Sequence, residues 1–280
     1  MYWDETRKGF QIQERDGVVY YTIPSFSALG FLKHGFSTRI GGVSSGCFQS
    51  LNMSFSRETA SLENVVENVR RMGAAIGIAL EDMVRCNYEH GTNVLVIDRS
   101  MAGEGILRPH EMPFCDGLIA TDSSVAAVTL HADCNPIFFA DKRGRVAGVC
   151  HAGWRGTLGG VTANILGKLR ELGVGPGDVL FGIGPSIGPC CFEVQDDVSS
   201  QFLEKYGDEV VERRDGRQYV DLWRTLALQL EAMGVPPENV TFSMQCTYCR
   251  EELFYSHRRD KGQTGAMGSF IQLCGRAQAS

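Results

Sequence analysis

The chain has 280 residues, of which 43% are hydrophobic and 9% aromatic, so it can bury a full core and is too apolar for intrinsic disorder. A formal charge of -6 and an isoelectric point near 5.6 exclude a nucleic-acid surface as its main partner, because neutralising phosphates takes clustered Lys and Arg. The first residues mix Asp4, Glu5, Arg7 and Lys8 where a signal peptide would be apolar, and no later run is long enough to span a bilayer, so a cytoplasmic protein without membrane contact is expected.

In chain order, two β-rich runs come first, joined by a hairpin turn at Asp16-Gly17 before Val18 to Ile23, and a further strand follows near Phe31 to Thr38. A glycine-rich loop, Gly41 to Gly46, comes after Arg39. From Ser61 the residues Leu62, Val65, Val66, Val69, Met72 and Ile76 recur at helical spacing, with Ser61 available as a cap and Gly77 as the stop. Short apolar runs at Asn93 to Ile97, Leu118 to Thr121, Val125 to Leu130, Pro136 to Phe139 and Val146 to Cys150 suit buried strands. A helix after Gly156 carries Leu158, Val161, Ile165, Leu166 and Leu169 on one stripe and stops at Gly173. A strand at Val179 to Ile183, helices near Val194 to Tyr206 and Leu222 to Met233, and strands near Val240 to Met244 and Gly268 to Leu273 complete the series. No linker, charge block or repeat marks a boundary, which predicts a single α/β domain over residues 1–280.

Three of the 6 histidines, His90, His131 and His151, stand where a strand pattern runs into a glycine or polar loop. Strand ends are where open α/β sheets place their sites. His131-Ala132-Asp133-Cys134 adds a carboxylate and a thiol, and His151-Ala152-Gly153-Trp154-Arg155-Gly156 adds a guanidinium and two glycines. A single His beside a strand is more often a hydrogen-bonded core residue, but imidazoles and a thiol occurring together suit zinc, and three protein ligands with one open position describe a catalytic zinc site. Spacing alone does not say which imidazoles take part.

Arg155, opening a helix, and Arg39, beside the glycine-rich loop, are candidates to hold an anion, although a structural ion pair is as good a reading for either taken alone. For His257-Arg258-Arg259-Asp260 a surface salt bridge is the default. The 10 cysteines read as free thiols in a reducing compartment, most of them simply buried. Cys246-Thr247-Tyr248-Cys249 is a CxxC and Cys190-Cys191 a vicinal pair; a structural four-thiolate zinc is weighed and disfavoured because the second pair lacks CxxC spacing. His131-Ala132-Asp133 with Pro189-Cys190-Cys191 echoes the zinc nucleobase deaminase signature only weakly.

The same motifs resemble the YfiH family, described either as multicopper polyphenol oxidases (laccase-like) or as purine nucleoside phosphorylases. The matching stretches are Thr38-Arg39, Gly42-Val43-Ser44, Ser50-Leu51-Asn52, His90-Gly91, Ala132-Asp133-Cys134 with Pro136, His151 to Gly156, Gly184-Pro185, Ile187-Gly188 with Cys190, Phe192-Glu193-Val194, and Ser256 with Arg258-Arg259 and Thr264-Gly265. The resemblance implies a YfiH-like fold, α+β or α/β, layered α/β/α around a mixed sheet. It implies a metal, zinc with copper possible in vitro, on His90, Cys134 and His151. Asp133, Arg155 and His131 are then the expected catalytic residues, and Arg39, Asn52 and Gly156 the expected substrate-binding ones. The expected partners are a purine nucleoside and phosphate, acting on a monomer or small homo-oligomer. Two departures stand out: Tyr88 where relatives commonly carry Gln, and Ala266 where they carry Arg.

The implied activity is phosphorolysis of adenosine or inosine, with deamination of adenosine as a companion. A laccase of ordinary type conflicts with the 6 scattered histidines, since trinuclear and blue copper centres consume many imidazoles. Two other classes stay open: a metal-free hydrolase using Cys134 and His151, and a binding module in which Tyr88 and Ala266 have abolished turnover.

Overall fold

A computed structural model of the chain describes residues 9–57 and 61–275. Two six-stranded sheets form its centre. The first runs in the order β1 (Gln11–Arg15), β2 (Val18–Thr22), β3 (Leu32–Ser37), β15 (Met267–Leu273), β7 (Ala126–His131) and β4 (Met83–Arg85). The second runs β14 (Val240–Phe242), β10 (Val179–Ile183), β8 (Asn135–Asp141), β9 (Ala147–Ala152), β6 (Gly117–Ala120) and β5 (Val94–Ile97). Both mix parallel and antiparallel pairs. A small sheet, β11 (Glu193–Val194), β13 (Arg217–Val220) and β12 (Val211–Arg214), stands apart.

Period-two alternation decides what lies between the layers. In β8, Phe138 and Ala140 enter a core shared with Ala127 of β7 and Ile271 of β15, so the two large sheets pack face to face. Ile137 and Phe139, pointing the other way, join a core under α4 (Val161–Glu171) and α6 (Leu222–Ala232). On the far side, Val128 and Phe270 meet Val69 and Met72 of α2 (Leu62–Ile76). The expected mixed sheet between helices is therefore present with its sheet layer doubled. Each fully buried Phe of these cores contributes on the order of 1.5–3 kcal/mol by leaving water.

Local chemistry explains most element ends. Asp16 and Gly17 both take positive φ, 51° and 77°, the conformation a two-residue hairpin needs. Asp215-Gly216 repeats that geometry between β12 and β13, a turn signal the sequence reading passed over. Gly77 ends α2 in the left-handed conformation, whereas Ser61 makes no side-chain cap bond. The helix expected after Gly156 is two: α3 (Trp154–Gly159) stops at Gly160, whose φ of 81° breaks the stripe before α4 begins. Short α1 (Pro24–Ser27) and α5 (Asp196–Tyr206) complete the set. Among the described residues no helix is long and apolar enough to cross a membrane.

The topology creates one junction of consequence. The first sheet's β7 ends at His131, residues 132–134 cross to the second sheet, and β8 begins at Asn135. Because β8 and β9 are arms of one antiparallel hairpin, with Asn135 opposite Ala152 and Pro136 opposite His151, the crossing segment is brought back beside His151.

Candidate metal centre

At this junction His90, Cys134 and His151 present one ligand atom each, and these atoms all lie within 4.8 Å of one another. His90 comes from the loop between β4 and β5, Cys134 from the crossing segment and His151 from β9. His90 has φ 66° and Asp133, beside Cys134, has φ 88°. Non-glycine residues hold that conformation only where their surroundings enforce it, and such positions cluster at functional sites.

Asp116, fully buried at the start of β6, does much of the enforcing. Its Oδ1 lies 3.1 Å from His151 Nδ1 and accepts the His90 N–H at 3.1 Å, while Oδ2 accepts the Gly91 N–H at 2.6 Å. One carboxylate thus orients an imidazole and pins the loop carrying a second, the usual companion of metal-ligating histidines. The sequence reading missed Asp116; an isolated Asp before a short strand carries no motif to flag it.

The electrostatics suit a thiolate. Burial pushes the Cys134 thiol up, but the charge of His151 and hydrogen bonds from both imidazoles outweigh it and hold the thiol at about 6. Burial disfavours charge on His151, yet the Cys134 thiolate and Asp116 lift it to about 9. Tyr88 stacks on His151 at 4.9 Å between centroids and meets the His90 ring edge-on at 6.1 Å. The donor set fits a divalent ion of borderline softness. Room for one is kept by Gly153, where a Cβ would lie 3.2 Å from His90 Cδ2 and 3.3 Å from Cys134 Sγ.

Two adjoining cavities open on this cluster. The inner, about 180 Å³, is lined by Arg57, Tyr88, His131 and Ala266 together with the three donors. The outer, about 290 Å³, shares Arg57, His90 and Cys134 with it and adds Phe192, His257 and Arg258.

The family model described as multi-copper polyphenol oxidoreductase laccase matches residues 33–274. The chain belongs to this family. It is 38% identical over 244 residues to the purine nucleoside phosphorylase YlmD of Geobacillus stearothermophilus, covering 85% of this chain and 88% of that one. The mouse (Mus musculus) purine nucleoside phosphorylase LACC1 is 34% identical over 247 residues, 86% of this chain and 55% of that one. The crystal structure of the Geobacillus YlmD superposes with a TM-score of 0.87 at 34% identity, over 95% of this chain and 99% of that one.

The other residues singled out in the sequence divide around these cavities. His131 lines the inner one; burial and the neighbouring His151 charge push its pKa well down, and its Nε2 meets Thr129 Oγ1 at 2.8 Å. Asp133 is committed. Its carboxylate accepts Thr247 Oγ1 at 2.6 Å, Ser256 Oγ at 3.0 Å and the Arg258 N–H at 2.7 Å, tying the 243–260 loop to the centre. Gly156 packs against the His90 loop, since a Cβ there would sit 2.6 Å from the Gly91 carbonyl oxygen.

Three residues with expected roles sit in other surroundings. Arg39 donates to the carbonyls of Gln49 and Glu251 and lines a groove that shares no residue with the two cavities. Asn52 is fully buried, its Oδ1 accepting the N–H of Ser54 and of Ala266, so it braces backbone where a ligand contact was expected. Arg155 lies over the Trp154 ring at 4.3 Å in a neighbouring groove that meets the outer cavity at Phe192 and Arg258. The guanidinium groups at the donors are instead those of Arg57 and Arg258, and Arg57 Nη2 lies 3.2 Å from Nδ1 of His257, which lines the same outer cavity. Only Arg259 of that charged run pairs with Asp260, at 2.8 Å. The four thiols weighed against at the sequence level also come together, Cys190, Cys191, Cys246 and Cys249 lying within 4.8 Å of one another.

Proposed function

We propose that the chain is a purine nucleoside phosphorylase acting on adenosine or inosine, with zinc held by His90, Cys134 and His151. The observation that carries the reading is that these donors share their cavities with Arg57, His257 and Arg258, so an anion and a polarising centre meet in one space. The names of the relatives agree with it. In phosphorolysis an oxygen of phosphate bonds to C1′ of the ribose, the C1′–N bond breaks, and its electron pair leaves with the purine, which takes up a proton. Positive charge develops on the sugar, so phosphate must be held against it and the leaving base must be stabilised.

Arg57 and Arg258 are assigned to grip phosphate, since a planar guanidinium can bind two oxygens at once. A bound zinc would supply Lewis-acid polarisation and an acidic water. His131, kept neutral in the inner cavity, is assigned to proton movement at the base, and Asp133 positions the crossing segment that carries Cys134. Tyr88 supplies an aromatic wall beside the donors. Residues 1–280 are taken as one catalytic domain, because the donors come from strands and loops of both sheets. We extend the proposal to deamination of adenosine, which needs water and no phosphate.

The test is chromatography of adenosine and inosine reactions with and without phosphate. Free base plus ribose 1-phosphate, formed faster as phosphate rises, supports the reading; base release indifferent to phosphate would mean hydrolysis. A second reading rests on the low thiol pKa of Cys134 beside His151, the pattern of a cysteine hydrolase. A third donor at His90 has no place in that chemistry, and metal content with thiol alkylation separates the two. Copper at the same three donors is compatible with weak oxidation of phenols. His34 is buried and tied to Ile23, which leaves too few imidazoles for a multinuclear copper array.

A further inference from the structure

The second thiol cluster lies outside the cavities described above. Its two halves follow neighbouring parallel strands: Cys190 and Cys191 come after β10, Cys246 and Cys249 after β14. Parallel strands release their chains at the same sheet end, and the pairing continues past them, with Ser186 bridging Cys246, Ser186 N–H donating to Gln245 and Thr247 N–H donating to Ser186. That alignment, which CxxC spacing does not report, brings the vicinal pair against the CxxC.

The sulfur geometry is informative. Cys249 Sγ lies 3.4 Å from Cys191 Sγ and 3.7 Å from Cys190 Sγ, and all four sulfurs lie within 4.8 Å of one another. A disulfide would need about 2.05 Å. Four sulfurs each about 2.3 Å from a tetrahedral zinc are about 3.8 Å apart, close to the separations seen. The Gly188 N–H points at Cys246 Sγ from 3.3 Å, the backbone support that a thiolate ligand needs.

We propose that Cys190, Cys191, Cys246 and Cys249 form a second metal site, a closed four-thiolate centre for zinc, separate from the His90, Cys134 and His151 site. Its role is structural. It clamps the loop holding Ile187, whose N–H donates to the Asp133 carbonyl at 2.9 Å, to the loop holding Thr247, whose hydroxyl donates to the Asp133 carboxylate at 2.6 Å. The metal therefore fixes, from outside, both loops that hold the residue preceding Cys134. Four ligands leave no open position, so the site takes no substrate.

The test counts metal and is independent of any activity. Cobalt(II) serves as the probe in a Cys134→Ala protein, where the first site is disabled. One equivalent should bind with the intense absorption of tetrahedral cobalt thiolate and be displaced by zinc. Adding Cys249→Ser should weaken binding at least 100-fold; Cys249 is exposed, so the core is undisturbed. Cobalt binding unaffected by Cys249→Ser, no cobalt binding by the Cys134→Ala protein, or a disulfide among the four cysteines of freshly purified protein would each overturn the proposal.

Discussion

Asp116 touches His151 through Oδ1 at 3.1 Å and Gly91, next to His90, through Oδ2 at 2.6 Å, so a single buried carboxylate couples two of the three proposed metal ligands. Asp116→Asn keeps the shape but loses the charge and one acceptor. Zinc affinity should fall about 10–100-fold, the usual cost of losing such a partner, with the fold retained. Competition with a chromophoric chelator reads this directly, and unchanged affinity would mean that His151 is oriented by its strand alone.

Removing a ligand should be more severe. Cys134→Ala should abolish tight metal binding at the junction and, with it, phosphorolysis, while circular dichroism stays that of the parent. If elemental analysis of Cys134→Ala, with the second thiol cluster also mutated, still finds one tightly bound zinc, the ligand set is wrong.

Arg57→Ala and Arg155→Lys separate two assignments of the phosphate grip. Arg57 lines both cavities at the donors, whereas Arg155 stacks on Trp154 next door. Loss of one charge-assisted bond worth about 1.4 kcal/mol should raise the KM for phosphate about 10-fold in Arg57→Ala. Arg155→Lys should change it less than threefold, and adenosine deamination should survive both. A larger effect from Arg155 would move the anion site to the groove along α3.

Gly156→Ala should destabilise the protein by about 1–3 kcal/mol, because its new methyl would meet the Gly91 carbonyl oxygen 2.6 Å away and either the loop or α3 must give. Urea unfolding measures the loss, and a parallel drop in zinc affinity would place the displacement in the His90 loop.

His34 predicts a pH dependence. Burial holds it at about 4 against an ordinary 6.5, and in its neutral form its Nε2 accepts the Ile23 N–H at 2.8 Å. Above pH 6.5 the folded and unfolded chains are both neutral here, and the contribution is complete. As pH falls from about 6.5 to 4 only the unfolded chain takes the proton, so stability is lost, by about 3 kcal/mol in all. Asp221, raised to about 6 by burial, acts in the opposite sense, its contribution fading as pH rises through that value. The His34 effect is therefore read as the difference between parent and His34→Gln, whose unfolding free energies should converge as the pH is lowered from 7 to 4. Parallel curves would show that His34 does not titrate in this way.

The sequence by itself determined the local structure and offered the candidate donors, with His90, Cys134 and His151 singled out by family resemblance and not by spacing. Asp16-Gly17, Gly77 and the alternating apolar runs act through backbone conformation and side-chain period, which neighbours in the chain suffice to set. The 17 residues from Cys134 to His151 are the two arms of the β8–β9 hairpin, a local relation legible as a motif. What only the tertiary structure decided depends on strands far apart in sequence. The face-to-face packing of two sheets converts the crossing at 132–134 into a junction, brings Asp116 under His151, and lines the cavities with Arg57, His257 and Arg258. The same long-range pairing of β10 with β14 unites four cysteines whose spacing argued against a site, while Arg39 and Asn52, marked by their motifs, prove to brace backbone. A motif fixes which groups are available; only the packing of distant segments fixes which of them face the same empty space, because that is set by pairing register and sheet order.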